Sequence, residues 1–244
     1  MQEPRRAYDF VNANAAPAVL SSAGRVVTEA PIDDFHLYDL HRTVSLKDNE
    51  TKQLEFLEAS GVSTQRTYEF DNNTPLYSGV YPNDRRDFTR SDKTTITIRE
   101  EIKNTTANHL GIPLPAGRLR LYRRDAAGLL QFVGEGLVPH TPAEQPLKIA
   151  SGDAFDLTGS QSQTDFHIDN AARIMTEDFA IHLTNQKPQP VTIHVIEHLS
   201  RTQNWEITTK SSGFTKRDSS TIDFPVVVPA KGETDLTYSV RYTW

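Results

Sequence analysis

Two of the eight histidines in this chain sit at a spacing that invites metal chemistry. His194 and His198 would share one face if their segment were a helix, as in His-Glu-x-x-His enzymes. Their neighbours argue otherwise, because Val191, Ile193 and Val195 alternate with polar residues as strand residues do. Along a strand four residues span about 13 Å, whereas two imidazoles on one ion each lie about 2 Å from it. The expectation is two solvent-facing strand histidines, with a metal reachable only if a residue such as His182 arrives from a neighbouring strand. Asp153 and Asp156 in Gly152-Asp153-Ala154-Phe155-Asp156 offer the clustered carboxylate oxygens that calcium takes. They lack the alternating ligands of a calcium loop, so a turn is expected, with Asp153 accepting backbone amides and Phe155 anchored in the core.

Glu135 and His140 bracket a loop that Gly134, Gly136, Pro139 and Pro142 can hold tight, giving a conceivable acid and base pair. The default reading is a structured loop, and Ser211-Ser212-Gly213 lacks the flanking glycine of a nucleophile elbow. Tyr68, Tyr77, Tyr81, Tyr122 and Trp205 are the aromatics that an exposed sugar-binding face would use. Tyr77 and Tyr81, in a loop bearing Pro75 and Pro82, are the best exposed candidates. The candidate binding residues are therefore Tyr77, Tyr81, Glu135 and His140, with no complete catalytic or metal-ligating set. Phosphate-loop and dinucleotide fingerprints are absent, so no cofactor is implied. Three Asn-x-Thr matches, at Asn49, Asn72 and Asn104, fall in turn-like stretches where chance accounts for them.

The elements that must position these residues are strands. The clearest is the run Leu236, Tyr238, Val240, Tyr242, Trp244, with Thr237, Ser239, Arg241 and Thr243 between, which puts one apolar face on a core and one polar face in water. The same period marks Ile96/Ile98, Leu119/Leu121, Phe179/Ile181/Leu183, Val191/Ile193/Val195, Trp205/Ile207 and Ile222/Phe224/Val226/Val228. Turn signals separate them, among them Asp71-Asn72-Asn73, Arg124-Asp125-Ala126-Ala127-Gly128 and Pro229-Ala230-Lys231-Gly232. Roughly fifteen strands and at most one short helix, around Asn170–Met175, are expected. The fold class is all-β, an antiparallel β-sandwich architecture arranged as two tandem immunoglobulin-like units. Residues 1–33 are small, polar and aperiodic and read as a flexible arm, 34–150 as the first unit and 151–244 as the second. One large β domain over 34–244 is the alternative.

Length and charge bound the function further. With 244 residues the chain buries a real core, and its apolar runs fall far short of the ~20 residues of a membrane helix. A net charge of −6 opposes nucleic-acid binding, which needs a concentrated positive field. The local basic cluster Arg85, Arg86 and Arg90 around Phe88 reads as a solvated loop. There is no cysteine, hence no disulfide and no thiolate chemistry.

Four stretches carry a resemblance: Leu46-Lys47-Asp48-Asn49-Glu50-Thr51-Lys52-Gln53, Gly111-Ile112-Pro113-Leu114-Pro115-Ala116-Gly117-Arg118-Leu119-Arg120-Leu121-Tyr122, Gly134-Glu135 with His140-Thr141-Pro142, and Gly152-Asp153-Ala154-Phe155-Asp156-Leu157. From about Phe35 to Trp244 the chain resembles the DUF4139 family, which includes the C-terminal part of bacterial mucoidy inhibitor A-like proteins. The resemblance implies a bacterial, envelope-associated protein, with an N-terminal domain and a helical region upstream, but no catalytic residue. It places the chain in the periplasm or cell envelope if a signal peptide precedes it. The expected function is a non-catalytic binding or structural module with a protein partner or an envelope glycan. The alternative is a glycan- or peptide-acting hydrolase whose carboxylate pair is assembled across strands. A metal-stabilised domain is a third possibility.

Overall fold

The computed structural model describes residues 18–22, 25–41, 43–52, 54–72, 82–89 and 91–244. Among these are fourteen strands and no α-helix, so the protein is all-β. The expected helix at 170–175 is instead a hairpin turn. Asp169 accepts the amides of Ala171 and Ala172 at 2.9 Å each, and Arg173 takes a positive φ of 55°. A carboxylate that satisfies two successive amides favours a turn over helix propagation.

The chain divides into two compact units, each built from several sequence segments. The first contains 1–63, 102–116 and 139–147. In it β1 (Ala18–Ser22), β2 (Arg25–Ile32) and β3 (Phe35–Asp39) form an antiparallel sheet. β1 and β2 fall in the segment 1–33 read as an arm, of which residues 1–17, 23 and 24 lie outside the described residues. Tyr38 of β3 meets Phe56 edge-on, with ring centroids 4.8 Å apart, and donates its hydroxyl to Pro113 O at 2.9 Å. Two buried asparagines hold the loops of this unit. Asn104 donates to Ile112 O and Pro142 O at 2.8 and 2.9 Å and accepts the Gly111 amide at 2.9 Å. Asn108 does the same for Ser63 and Lys103. The Ile112-Pro113-Leu114 stretch is scaffold, since Ile112 and Leu114 are both buried and Leu114 bridges to Thr141.

The second unit holds 64–101, 117–138 and 148–244 and most of the core. Its strands are β4 (Thr64–Asp71), β5 (Thr95–Lys103), β6 (Gly117–Arg124), β7 (Leu130–Val138), β8 (Pro146–Asp169), β9 (Ile174–Asn185), β10 (Val191–His198), β11 (Asn204–Lys210), β12 (Thr215–Lys216), β13 (Thr221–Val228) and β14 (Gly232–Thr243); the ends of β5 and β8 reach into the first unit. Nine of them form one sheet in the order β11-β14-β9-β8-β5-β4-β10-β13-β12, and β6 and β7 form a separate two-stranded ribbon. The expectation of purely antiparallel pairing is corrected at one joint: β10 runs parallel to β4, Ile193 opposite Tyr68. Parallel neighbours need a long crossover, and the hairpins between β4 and β10 in the chain supply it.

One core serves the whole sheet. Met175, Phe179, Ile181 and Leu183 of β9 face Leu236, Tyr238, Val240 and Tyr242 of β14, all buried. Phe179 and Phe224 stack on Tyr238 with centroids 5.1 and 5.4 Å apart. Phe224 lies on β13, which is no neighbour of β14 in the strand order, so the sheet turns on itself to enclose these rings. Gly159 of β8 is required there: a Cβ would lie 2.6 Å from the Phe70 ring.

The Phe155 expectation is corrected too. Its side chain is 97% exposed, while Ala154 and Leu157 are buried. Along β8 the buried positions are 147 and 149, then 154, then 157 and 159, so the alternation slips around Gly152 and again after Ala154. Each slip of one residue sends side chains to the opposite face, and the aromatic falls outside.

Candidate functional site

Of the four candidate binding residues, Glu135 and His140 are engaged in scaffold contacts, and Tyr77 and Tyr81 lie outside the described residues. Glu135 stands on β7 opposite Arg120, accepts from Arg120 Nε at 3.2 Å and pairs with Arg118. The hydrogen bond from Arg120, and then Arg118, holds its carboxyl below the usual range, which makes it a poor proton donor at neutral pH. His140 accepts the Ala116 amide on Nδ1 at 3.3 Å. Asp153 accepts the Thr97 hydroxyl at 3.3 Å rather than backbone amides.

His194 and His198 lie on β10, as the alternation of their neighbours requires. His194 Nδ1 contacts Asp223 at 3.0 Å, and Arg217 ties that aspartate to Glu69. His198 Nε2 contacts Asp71 at 3.1 Å. Each aspartate raises its histidine's pKa above the ordinary value. Among the described residues no group of three or more His, Asp or Glu side chains is placed to hold a metal ion. No helix among them is long and apolar enough to cross a membrane.

The strongest buried electrostatics were not flagged by any motif. Glu177 of β9 and Arg201, after β10, form an ion pair at 2.6 Å with both side chains wholly buried. Arg201 also donates to the carbonyls of Asn83, Arg85 and Arg86, and lies 5.6 and 4.9 Å from the ring centroids of Phe88 and Phe166. One guanidinium thus pins the 82–89 segment onto the sheet. Glu197 of β10 accepts on one oxygen from Tyr238 Oη, Gln161 and Asn72 at 2.8, 3.0 and 3.1 Å. Burial pushes its pKa up to about 7. Glu177 and Glu197 come from different strands, as a carboxylate pair would, but they are 1% and 2% exposed. No polysaccharide or peptide reaches carboxylates so enclosed, and their chemistry is that of a packed interior.

The exposed surface has the opposite character. The β6–β7 ribbon carries Tyr122, Leu129, Leu130, Phe132 and Leu137, which are 53 to 76% exposed. Tyr122 and Phe132 face each other across the strands, with ring centroids 5.7 Å apart. Contiguous apolar side chains on the outside mark contact surfaces more often than chance exposure does. Two devices hold the ribbon to the large sheet. Arg123 donates to Glu100 and Thr64 at 3.0 Å each, and Arg66 joins them on Glu100 at 2.8 Å. Burial alone would raise the Glu100 carboxyl, but these donors hold it below its ordinary value. Gly134 and Gly136 let β7 press against Ser151 and Ile149 of β8; at Gly134 a Cβ would lie 2.1 Å from Ser151 O.

A cleft of about 350 Å³ opens where β11 approaches β12. Trp205, Lys216 and Arg241 line it. The Lys216 ammonium sits 4.2 Å from the Trp205 ring centroid, and the indole N–H donates to Ser219 O at 2.8 Å.

The chain matches no protein-family model, no curated protein and no solved structure.

Proposed function

We propose that this chain is a non-catalytic binding module that docks a protein partner through the apolar face of the β6–β7 ribbon. The observation that carries the reading is the exposure of Tyr122, Leu129, Leu130, Phe132 and Leu137 together on one anchored ribbon. Burying such side chains against a partner supplies about 25 cal/mol per Å² of apolar surface, and a ribbon already held by Arg123 and Glu100 loses little entropy on docking. The paired rings of Tyr122 and Phe132, on a ribbon that also carries arginines, match the aromatic and arginine enrichment of interfaces. The contrasting state of the acids supports the same reading, since Glu177 and Glu197 are enclosed and Glu135 is neutralised by two arginines.

In this proposal the sheet is a sandwich-type scaffold of the immunoglobulin-like kind. It is supported by the meeting of Phe224 on β13 with Tyr238 on β14 across the core. The proposal takes the module to belong to a bacterial, envelope-associated protein, which the stretches resembling the DUF4139 family support.

A photo-crosslinking side chain at position 132 in the native host, compared with one at Val227, which is 62% exposed on β13, tests the reading. A discrete protein adduct is expected from 132, absent from 227 and lost when Leu130 is changed to Ser. Equal labelling from both positions, or no protein adduct from 132, would sink it.

A further inference from the structure

We propose that the cleft between β11 and β12 binds a small anionic sugar, a monosaccharide-sized polyol bearing a phosphate or carboxylate. The site is independent of the ribbon and lies where the sheet's two ends come together.

Its charge is the first argument. Lys216 and Arg241 line the cleft against a single acid, Glu206, in a chain whose net charge is −6. Glu206 stands opposite Arg241 in the β11–β14 register, yet among the described residues none of these three side chains takes part in an ion pair. Two cations against one acid in a concave site leave a net positive charge that raises the local concentration of small anions. Five other arginines of this unit, Arg66, Arg99, Arg123, Arg201 and Arg217, each hold a carboxylate.

Preorganisation is the second. The indole of Trp205 is fixed by its hydrogen bond to Ser219 O, and the Lys216 ammonium is held over that ring. A lysine stem otherwise free to sweep solvent therefore presents its charge at one place. A ligand's anionic group then meets a positioned charge, and less rotamer entropy is lost on binding.

The remaining lining sets the ligand class. Gln203, Asn204, Ser219 and Thr243 contribute amides, a hydroxyl-bearing turn and a strand end. Amides and hydroxyls both donate and accept, as the hydroxyls of a polyol require. β11 and β12 are also the two terminal strands in the sheet order, so their outer edges offer unpaired backbone groups as well. A volume of about 350 Å³ suits one sugar ring with its charged substituent and falls at the small end of ligand sites.

The test uses the full chain with Trp244→Phe, so that Trp205 alone reports by fluorescence. Glucose 6-phosphate, glucuronate, glucose and inorganic phosphate are titrated separately at low ionic strength. At least one of the two anionic sugars is expected to give a saturable change in Trp205 emission, and comparing them tells a phosphate from a carboxylate preference. Glucose and inorganic phosphate bind at least tenfold more weakly, added salt weakens the anionic sugar further, and Lys216→Gln or Arg241→Gln weakens it at least tenfold with an unchanged circular dichroism spectrum. The proposal is overturned if neither anionic sugar saturates, if glucose or inorganic phosphate binds as tightly as the anionic sugar, or if both variants bind as the parent does.

Discussion

Glu197 accepts three hydrogen bonds on one oxygen and none on the other, in a site that is 2% exposed. Its folded-state pKa of about 7 lies above the 4.5 of a free glutamate, so the native state holds the extra proton. Stability therefore falls as pH rises from about 4.5 to about 7, by up to about 3 kcal/mol. Glu197→Gln keeps a carbonyl acceptor and removes the ionisation; its melting temperature is expected to match the parent near pH 4.5 and exceed it near pH 8. A parent whose melting temperature is flat over this range after the histidine contribution is removed would contradict it. His194 works in the same direction, because its stabilising contact with Asp223 is complete below pH 6.5 and is lost as pH climbs through the raised value. Arg201 is a sharper case. Arg201→Met leaves the buried Glu177 carboxylate without its cation, and a loss of about 3–5 kcal/mol in chemical denaturation is expected. The alternation of Val191, Ile193 and Val195 already implies that Glu197 points inward. The groups that meet it, Asn72, Gln161 and Tyr238, arrive from three other parts of the chain, and a short-range period carries no trace of them. Arg201, in Leu199-Ser200-Arg201-Thr202, has no period at all.

At the level of elements, the strands were legible wherever one face is buried and the other wet. The run Leu236 to Tyr242 is the plainest example, and it forms the outward and inward faces of β14 as its pattern requires. The period failed where a strand slips. Around Gly152 the alternation changes phase, and Phe155, an obvious core residue by type, stands in solvent. The Gly-x-Gly of β7 gave no hint that its glycines make room for β8. Gly134→Ala places a methyl 2.1 Å from Ser151 O and cannot be relieved by rotating a side chain. It is expected to lift the ribbon, costing about 1–3 kcal/mol and raising hydrogen exchange in 117–138 ahead of β9 and β14. Unchanged exchange in the ribbon would show that β8 yields instead.

For the molecule as a whole, the exposed large apolar groups among the described residues include five on the ribbon, with Phe35, Leu46, Phe155 and Val227 standing apart from it. Replacing Leu129, Leu130 and Phe132 together by Ser should move the melting temperature by no more than about 2–4 °C, since surface substitutions shift stability little. The same change should abolish most binding of a hydrophobic dye and any concentration-dependent association in sedimentation. A cooperative loss of fold would mean the ribbon belongs to the core. The all-β class follows from composition and periodicity, whereas pairing partners do not, because sheet neighbours are chosen by packing across the whole chain. The parallel joint of β4 to β10 is the case in point: no local signal joins Tyr68 to Ile193.

That joint also orders events in time. During synthesis β4 leaves the ribosome early, yet the strand that covers one of its sides follows far behind, Asn72 and Glu197 being 125 residues apart. At about 5–20 residues per second this is an interval of roughly 6–25 s in which β4 presents an open edge to whatever strand is near. The nascent chain is most vulnerable to mispairing in that window. A ribosome-stalled fragment ending before β10 should accordingly be far more sensitive to protease and to chaperone capture than one that includes it.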